Sequence, residues 1–266
     1  NTIDSTNYPL NSDNRWTVSI SPGLYEEDIE LKKYISLVGS GKDVTILKPT
    51  GNQTNYITME QDTTIQNLSI EYDFPNTTTI TNNIVFITKN NSGDSILSNV
   101  KINITDYRNG TTSSKVIYLN EGNLNIEDTD ITITPLLSER ETIYGIDIDS
   151  STECFIDRCT ITANTNKNMR FIDNKGNLTI RNSKIIVDFP STDNWQFTMT
   201  NYVIYNTNGN LNIFSSIVEN TVKDSYSIYN LADSSSLVKI EKDNILATDF
   251  KLLSNLVQFK TKSEDK

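Results

Sequence analysis

Short runs of alternating apolar and polar residues recur along the chain, separated by tight polar corners. Val116-Ile-Tyr-Leu119 is followed by Leu124-Asn-Ile126 and then by Ile131-Thr-Ile133. Period-two alternation built on β-branched residues predicts strands, and runs this brief are too short for helices of about ten residues or more. A larger period lies over this one. Asn123-Leu-Asn-Ile126 through Ile133 matches Asn177-Leu-Thr-Ile180 through Val187. Asn210-Leu-Asn-Ile213 opens a third copy, and Glu153-Cys-Phe-Ile156 through Ile161 a divergent one.

Taking the central aliphatic residue of each copy as an anchor gives Ile65, Leu97, Ile126, Ile156, Ile180, Ile213 and Ile240, spaced 24 to 33 residues apart. Three short strands per repeat of that length describe an all-β, single-stranded, right-handed parallel β-helix of about 7–9 coils, in which stacking supplies the core that no single coil can bury. Other columns agree. Five residues past the anchors stand Ile70, Ile102, Ile131, Ile161, Ile185 and Ile245, an expected inward stack. Two past them stand Asn67, Asn99, Asp128, Arg158, Asn182, Ser215 and Lys242, a corner where Asn and Asp tolerate unusual backbone angles and could bond side chain to side chain. Four before them come Gly93, Gly122, Gly176 and Gly209, as a turn with positive φ requires.

Residues 1–15 lack periodicity and read as an N-terminal arm. Residues 16–250 form the β-helix, and 251–266 a cap strand with a charged tail. The long connections fall near 72–83, 105–115, 134–144, 164–168, 188–201 and 220–227, all after the same strand of each coil, so they share one rim. No amphipathic helix precedes the first coil to cap it, and open strand edges invite pairing, so self-association or incorporation in a larger assembly is expected.

The segment Pro22-Gly23-Leu24-Tyr25-Glu26-Glu27, with Leu37-x-Gly39-x-Gly41 and Thr45-x-Ile46, resembles the opening coils of pectin methylesterases and of the wider group of pectate-lyase-like parallel β-helix proteins. The resemblance covers roughly residues 16–48 and implies the fold. The catalytic signatures of that group's esterases and polygalacturonase-like glycosidases do not occur in this sequence, so no catalytic residue is carried over. Lyases of this fold depend less on fixed motifs, using Arg or Lys with carboxylates and often calcium.

Composition narrows the chemistry. With 23 basic and 34 acidic residues the net charge is −11, which disfavours nucleic acid. The chain has no histidine, so His-dependent nucleophiles, general bases and zinc sites are excluded. Its two cysteines, Cys154 and Cys159, align with inward hydrophobes (Leu124 and Leu178 for the first, Leu68 and Val100 for the second) and read as buried free thiols. No apolar run is long enough to span a membrane. The chain opens on Asn1 rather than Met, as after removal of a leader or tag.

Two groups of candidates remain. Rim aromatics and cations, Trp195 and Phe197 with Tyr107, Arg108 and Arg140, suit stacking on a sugar or a protein partner. Tyr72 and Phe74 lie nearer a strand end and suit packing. Carboxylates at Glu127, Asp130 and Asp157, with Asp147 and Asp149 expected in neighbouring outward positions, have the oxygen chemistry that Ca²⁺ takes, although a solvated charge ladder is the simpler expectation. No cofactor is expected otherwise. The reading is a non-enzymatic structural or recognition module on a cell surface, outside the cell or on a virion, presenting a loop rim to a glycan or protein partner. The alternative is a polysaccharide-active enzyme, a lyase first among them.

Overall fold

The computed structural model describes residues 10–49, 55–74, 84–106, 114–135, 142–164, 168–188, 202–220, 226–231, 237–241, 245–247, 251–252 and 257–260. The chain winds as a right-handed parallel β-helix with three faces. The first face stacks Trp16–Ser19, Ile35–Val38, the leading parts of Thr63–Phe74 and Asp94–Asp106, then Asn123–Glu127, Glu153–Asp157, Asn177–Arg181, Asn210–Phe214, Val238–Glu241 and Val257–Lys260. The second face follows each of these across a sharp corner. The third is a separate nine-stranded sheet from Ile29–Glu30 to Lys251–Leu252. All the strand pairings within these sheets are parallel, and no helix occurs among the described residues.

The anchors stack in one continuous register, Ile65 on Leu97, then Ile126, Ile156, Ile180, Ile213 and Ile240, all buried. The second inward column holds as expected from Ile70 to Ile185 and continues through Val218. At its far end Leu246, not Ile245, registers with Val218, because a single-residue shift turns a strand's faces over. The corner column is left-handed throughout: φ is 55° at Asn67, 52° at Asn99, 49° at Asp128, 53° at Arg158, 47° at Asn182 and 47° at Ser215. Lys242 lies outside the described residues. The glycine column divides in two. Gly93 and Gly122 have positive φ, whereas Gly209 is needed for space, since a Cβ there would stand 2.3 Å from the carbonyl oxygen of Gly176.

The third face departs from strict alternation. In each strand two successive residues point inward: Phe86 with Ile87, Val116 with Ile117, Phe171 with Ile172, Val203 with Ile204. The ladder skips the first of each pair, as in a bulge. Val116-Ile-Tyr-Leu119 is therefore not the simple alternating run its pattern suggested. The repeated bulge spaces outward side chains three apart, which brings Lys115 and Tyr118, Tyr144 and Asp147, Arg170 and Asp173, Tyr202 and Tyr205, and Tyr226 and Tyr229 onto one surface. Gly145 takes the inward position beside Phe171, whose ring would lie 2.4 Å from a Cβ there.

The first coil ends in an open mouth of about 660 Å³ whose lining includes Ile29, Leu31, Leu37 and Leu47, with Leu24 57% exposed beside it. Among the described residues nothing caps that end.

Candidate functional site

The outward surface of the third face concentrates the perturbed ionisable groups of the molecule. Asp147 is buried between two cations, with Lys115 Nζ 2.6 Å from one carboxylate oxygen and Lys175 Nζ 3.2 Å from the other. Asp173 stands directly beside it on the next coil, equally buried. Its nearest cation is Arg170, 3.6 Å from Oδ2, and its Oδ1 has no hydrogen-bond partner. Two carboxylates in matching register thus sit in opposite environments, one neutralised by two ammonium groups and one desolvated. Burial pushes Asp173 above the ordinary carboxylate range, and neighbouring Asp147 adds to the shift, against the pull of Lys175 and Arg170. Lys175 is held above its usual range by Asp147 and Asp173 despite its own burial.

Tyrosines flank this pair on both sides. Towards the N-terminal coils, Tyr118 bonds Asn120 Oδ1 at 3.0 Å and Asp149 Oδ2 at 3.3 Å, while Lys115 lies 3.6 Å from the centre of its ring. Burial and then Asp149 raise the Tyr118 pKa. Tyr144, in register with Lys115 and Arg170, is raised chiefly by burial. Towards the C-terminal coils four tyrosines form a grid. Tyr205 and Tyr229 stack 5.4 Å apart and 7° from parallel, and Tyr202 and Tyr226 5.9 Å apart at 14°. Across the columns, Tyr202 meets Tyr205 and Tyr229 at 4.9 Å. The Arg170 guanidinium covers the open end of one column, 4.0 Å from the Tyr205 ring centre. The ring faces are therefore mostly spent on one another, and edges and hydroxyls point outward. Burial, with Tyr229 and Tyr205 nearby, raises the Tyr202 pKa, so its hydroxyl stays a proton donor at neutral pH.

The residues expected from sequence fare differently. Trp195, Phe197, Tyr107, Arg108 and Arg140 lie outside the described residues. Tyr72 packs inward against Tyr56, ring centres 4.6 Å apart, as its place near a strand end suggested. Glu127 and Asp157 do stack one coil apart. Arg158 occupies the space among them, 2.7 Å from Asp128 and 3.8 Å from Glu127, and bonded to Asp157. Asp130 turns instead to Lys42 at 3.0 Å. Asp147 and Asp149 belong to the third face and not to that cluster, because the intervening corner separates them. Among the described residues no group of three or more His, Cys, Asp or Glu side chains is placed to hold a metal ion.

The third-face surface was invisible to a period-two reading, which would send Tyr118 and Tyr205 to the wrong side. The signal that could have found it is the repeated doublet of inward residues flanked by Tyr, Asp or Arg three apart, as in Arg170-Phe-Ile-Asp173, Tyr202-Val-Ile-Tyr205 and Tyr226-Ser-Ile-Tyr229.

No family model and no curated protein matches the chain. The solved structures similar to it include two A-modules of mannuronan C-5 epimerases from Azotobacter vinelandii. The AlgE6 module is 10% identical with a TM-score of 0.43, covering 90% of this chain and 80% of its own. The AlgE4 module is 9% identical with a TM-score of 0.36, covering 94% and 92%.

Proposed function

We propose that this β-helix is a non-enzymatic recognition module, displayed at a cell or virion surface, whose third face binds a glycan. The observation that carries the reading is the tyrosine grid capped by Arg170. Four rings locked against one another have little rotamer freedom left to lose on binding, and they present hydroxyls beside amphipathic edges. The hydroxyls of Tyr202, Tyr205 and Tyr229 have no hydrogen-bond partner among the described residues. Sugar hydroxyls, which both donate and accept, suit such a surface. Lys175 and Arg170 at its margin are half-exposed and supply further donors.

A glycan array probed with the whole chain and with Tyr205→Ala tests this. Binding to at least one glycan class, lost or weakened about tenfold or more in the variant, supports it. No binding across the array, or binding indifferent to Tyr205→Ala in a variant that stays folded, refutes it.

The carboxylate pair favours a second reading, a polysaccharide-active enzyme, since environments that drive two acids apart are how acid and base roles are divided. Incubation with polyuronides and neutral polysaccharides, following unsaturated-product absorbance and new reducing ends, separates the two. Turnover abolished by Asp173→Asn would establish the enzyme and displace the recognition module.

A further inference from the structure

We infer a second binding site, on the first face, for a neutral oligosaccharide; it is independent of the third-face surface. The outward side chains of the first face form two neighbouring rows, one position of the pleat apart. In one row Asp94, Asn123, Glu153, Asn177 and Asn210 stand in register on successive coils. They are tied to one another: Asn123 Nδ2 donates to Asp94 Oδ1 at 2.8 Å, Asn177 Nδ2 to Glu153 Oε1 at 3.3 Å, and Asn210 Nδ2 to Asn177 Oδ1 at 2.8 Å. In the next row Asn125, Phe155, Thr179, Asn212 and Lys239 stand in register. Together the rows line an open groove of about 530 Å³, within the range of small-molecule sites.

The chemistry of the groove selects the ligand. Each ladder amide uses one N–H along the row and keeps a second, and each amide oxygen has two lone pairs. Donors and acceptors therefore repeat at the strand spacing of about 4.8 Å, held in place before any ligand arrives. A sugar hydroxyl is both donor and acceptor and matches such a row at every step. Phe155 is half-buried at the centre of the second row, with the Arg181 guanidinium 5.9 Å from its ring centre, and offers an apolar surface to the C–H side of a sugar ring. The Asn125 amide and the Lys239 ammonium have no hydrogen-bond or ion-pair partner among the described residues, so both are free to meet a ligand. Asp94 and Glu153 along the wall are matched by Arg181 beside Phe155 and Lys239 at the far end, so the groove offers a polyanion no net attraction. A neutral chain laid along the solenoid axis, from Asn125 across Phe155, Thr179 and Asn212 to Lys239, meets all of these groups.

Titration calorimetry on the whole chain tests the site, with hexamers of β-1,4-glucose, xylose and N-acetylglucosamine as neutral probes and a galacturonate hexamer as the acidic one. One neutral hexamer should bind, and Phe155→Ala and Asn125→Ala should each weaken it about tenfold. Tyr205→Ala should leave that affinity unchanged, so failure here and failure of the third-face reading are told apart. Phe155 points outward, and circular dichroism of the variant verifies its fold; Lys239→Gln, fully on the surface, gives a second variant with no folding cost, expected to weaken the neutral hexamer several-fold. The site is refuted if no neutral hexamer binds, if binding ignores Phe155→Ala, or if the galacturonate hexamer binds more tightly and depends on Phe155.

Discussion

The side-chain amide of Asn206 donates to Asn230 Oδ1 at 2.7 Å, one coil further along the solenoid, and accepts from Asn174 Nδ2 at 2.6 Å on the coil before. All three asparagines are buried at the ends of third-face strands, and the same Asn206 amide also donates to the Gly209 carbonyl at 2.9 Å. This is a core amide ladder at the corner where the chain turns back to the first face. Earlier in the chain the same column holds Met59, the buried Lys89, Leu119 and Ile148.

Asn206→Ala removes the middle of that ladder. The Asn230 oxygen and the Gly209 carbonyl lose their donor in a dry setting, whereas Asn174 keeps its bond to the Asn210 carbonyl at 3.1 Å. Each stranded group costs roughly 1–3 kcal/mol, so a loss of about 3 kcal/mol is expected in urea unfolding. Asn206→Leu should cost as much, because shape is not what the site lacks. A loss under about 0.5 kcal/mol would show that water replaces the amide there.

The two cysteines should respond in opposite ways to the same replacement. Cys159 occupies a column of hydroxyls: its amide donates to Ser183 Oγ at 3.0 Å, as Ser183's amide does to Ser216 Oγ at 3.2 Å, and its Sγ donates to the Asp157 carbonyl as Ser183 Oγ does to Arg181. Cys159→Ser should therefore change stability by less than about 0.5 kcal/mol. Cys154 sits between Leu124 and Leu178, and Cys154→Ser buries a hydroxyl without a partner at a cost of about 1–3 kcal/mol. Denaturant curves of the two variants compare them directly.

Burial also sets how these thiols titrate. Burial pushes Cys154 up to about 12 and Cys159 up to about 11 from an ordinary 9. The unfolded chain loses these protons first, so stability is intact below pH 9 and falls as pH rises through 11 to 12. In the folded protein both thiols should be silent to a disulfide reagent at pH 8 and react only on unfolding, followed by absorbance.

The repeat and its inward columns were legible because aliphatic anchors, Ile126, Ile156 and Ile180 among them, recur with a fixed local motif. The left-handed corner was legible at Asn67, Asn99 and Asn182, where the residue type announces the backbone. Arg158 and Ser215 take the same conformation without that signature, and only the register places them. The Cys159 column misled, since Leu68 and Val100 precede it where the column is still apolar, and its change to Thr129, Ser183 and Ser216 was not weighed. Of the third-face site only Asp147 was legible, as an outward carboxylate; a bulge that turns two successive residues inward is a backbone event, and alternation cannot register the tyrosines it brings out. The rim candidates, Trp195 foremost, lie outside the described residues.

Corner residues give a graded test of backbone cost. Asn99, with φ 52°, also donates through Nδ2 to Asn67 Oδ1 at 2.7 Å. Asn99→Val loses that bond and forces a β-branched residue into the left-handed region, an expected cost of about 2–3 kcal/mol. Ser215→Asn keeps a polar side chain and suits φ 47° better, so it should gain about 0.5 kcal/mol. Equal effects at the two positions would mean that the corner conformation relaxes on substitution.

The third-face carboxylates should divide sharply under mutation and pH. Asp147→Asn removes the carboxylate that bridges Lys115 and Lys175, and a loss of about 2 kcal/mol at pH 7 is expected. Asp173→Asn removes a charge that burial already disfavours and gives Arg170 a neutral oxygen, so stability at pH 7 should rise. The sign follows from protons bound. Asp173 keeps its proton in the folded state above the pH, near 4, at which the unfolded chain gives it up, so its contribution is full below pH 4 and is lost as pH rises through the raised value. Arg170, Lys175 and Asp147 face the same carboxyl, and all three are present in both proteins compared. Calorimetric melting between pH 3.5 and 7 should therefore show the native protein losing more stability with rising pH than Asp173→Asn does. Parallel profiles would mean that Asp173 is ionised throughout and that the two acids are not held apart.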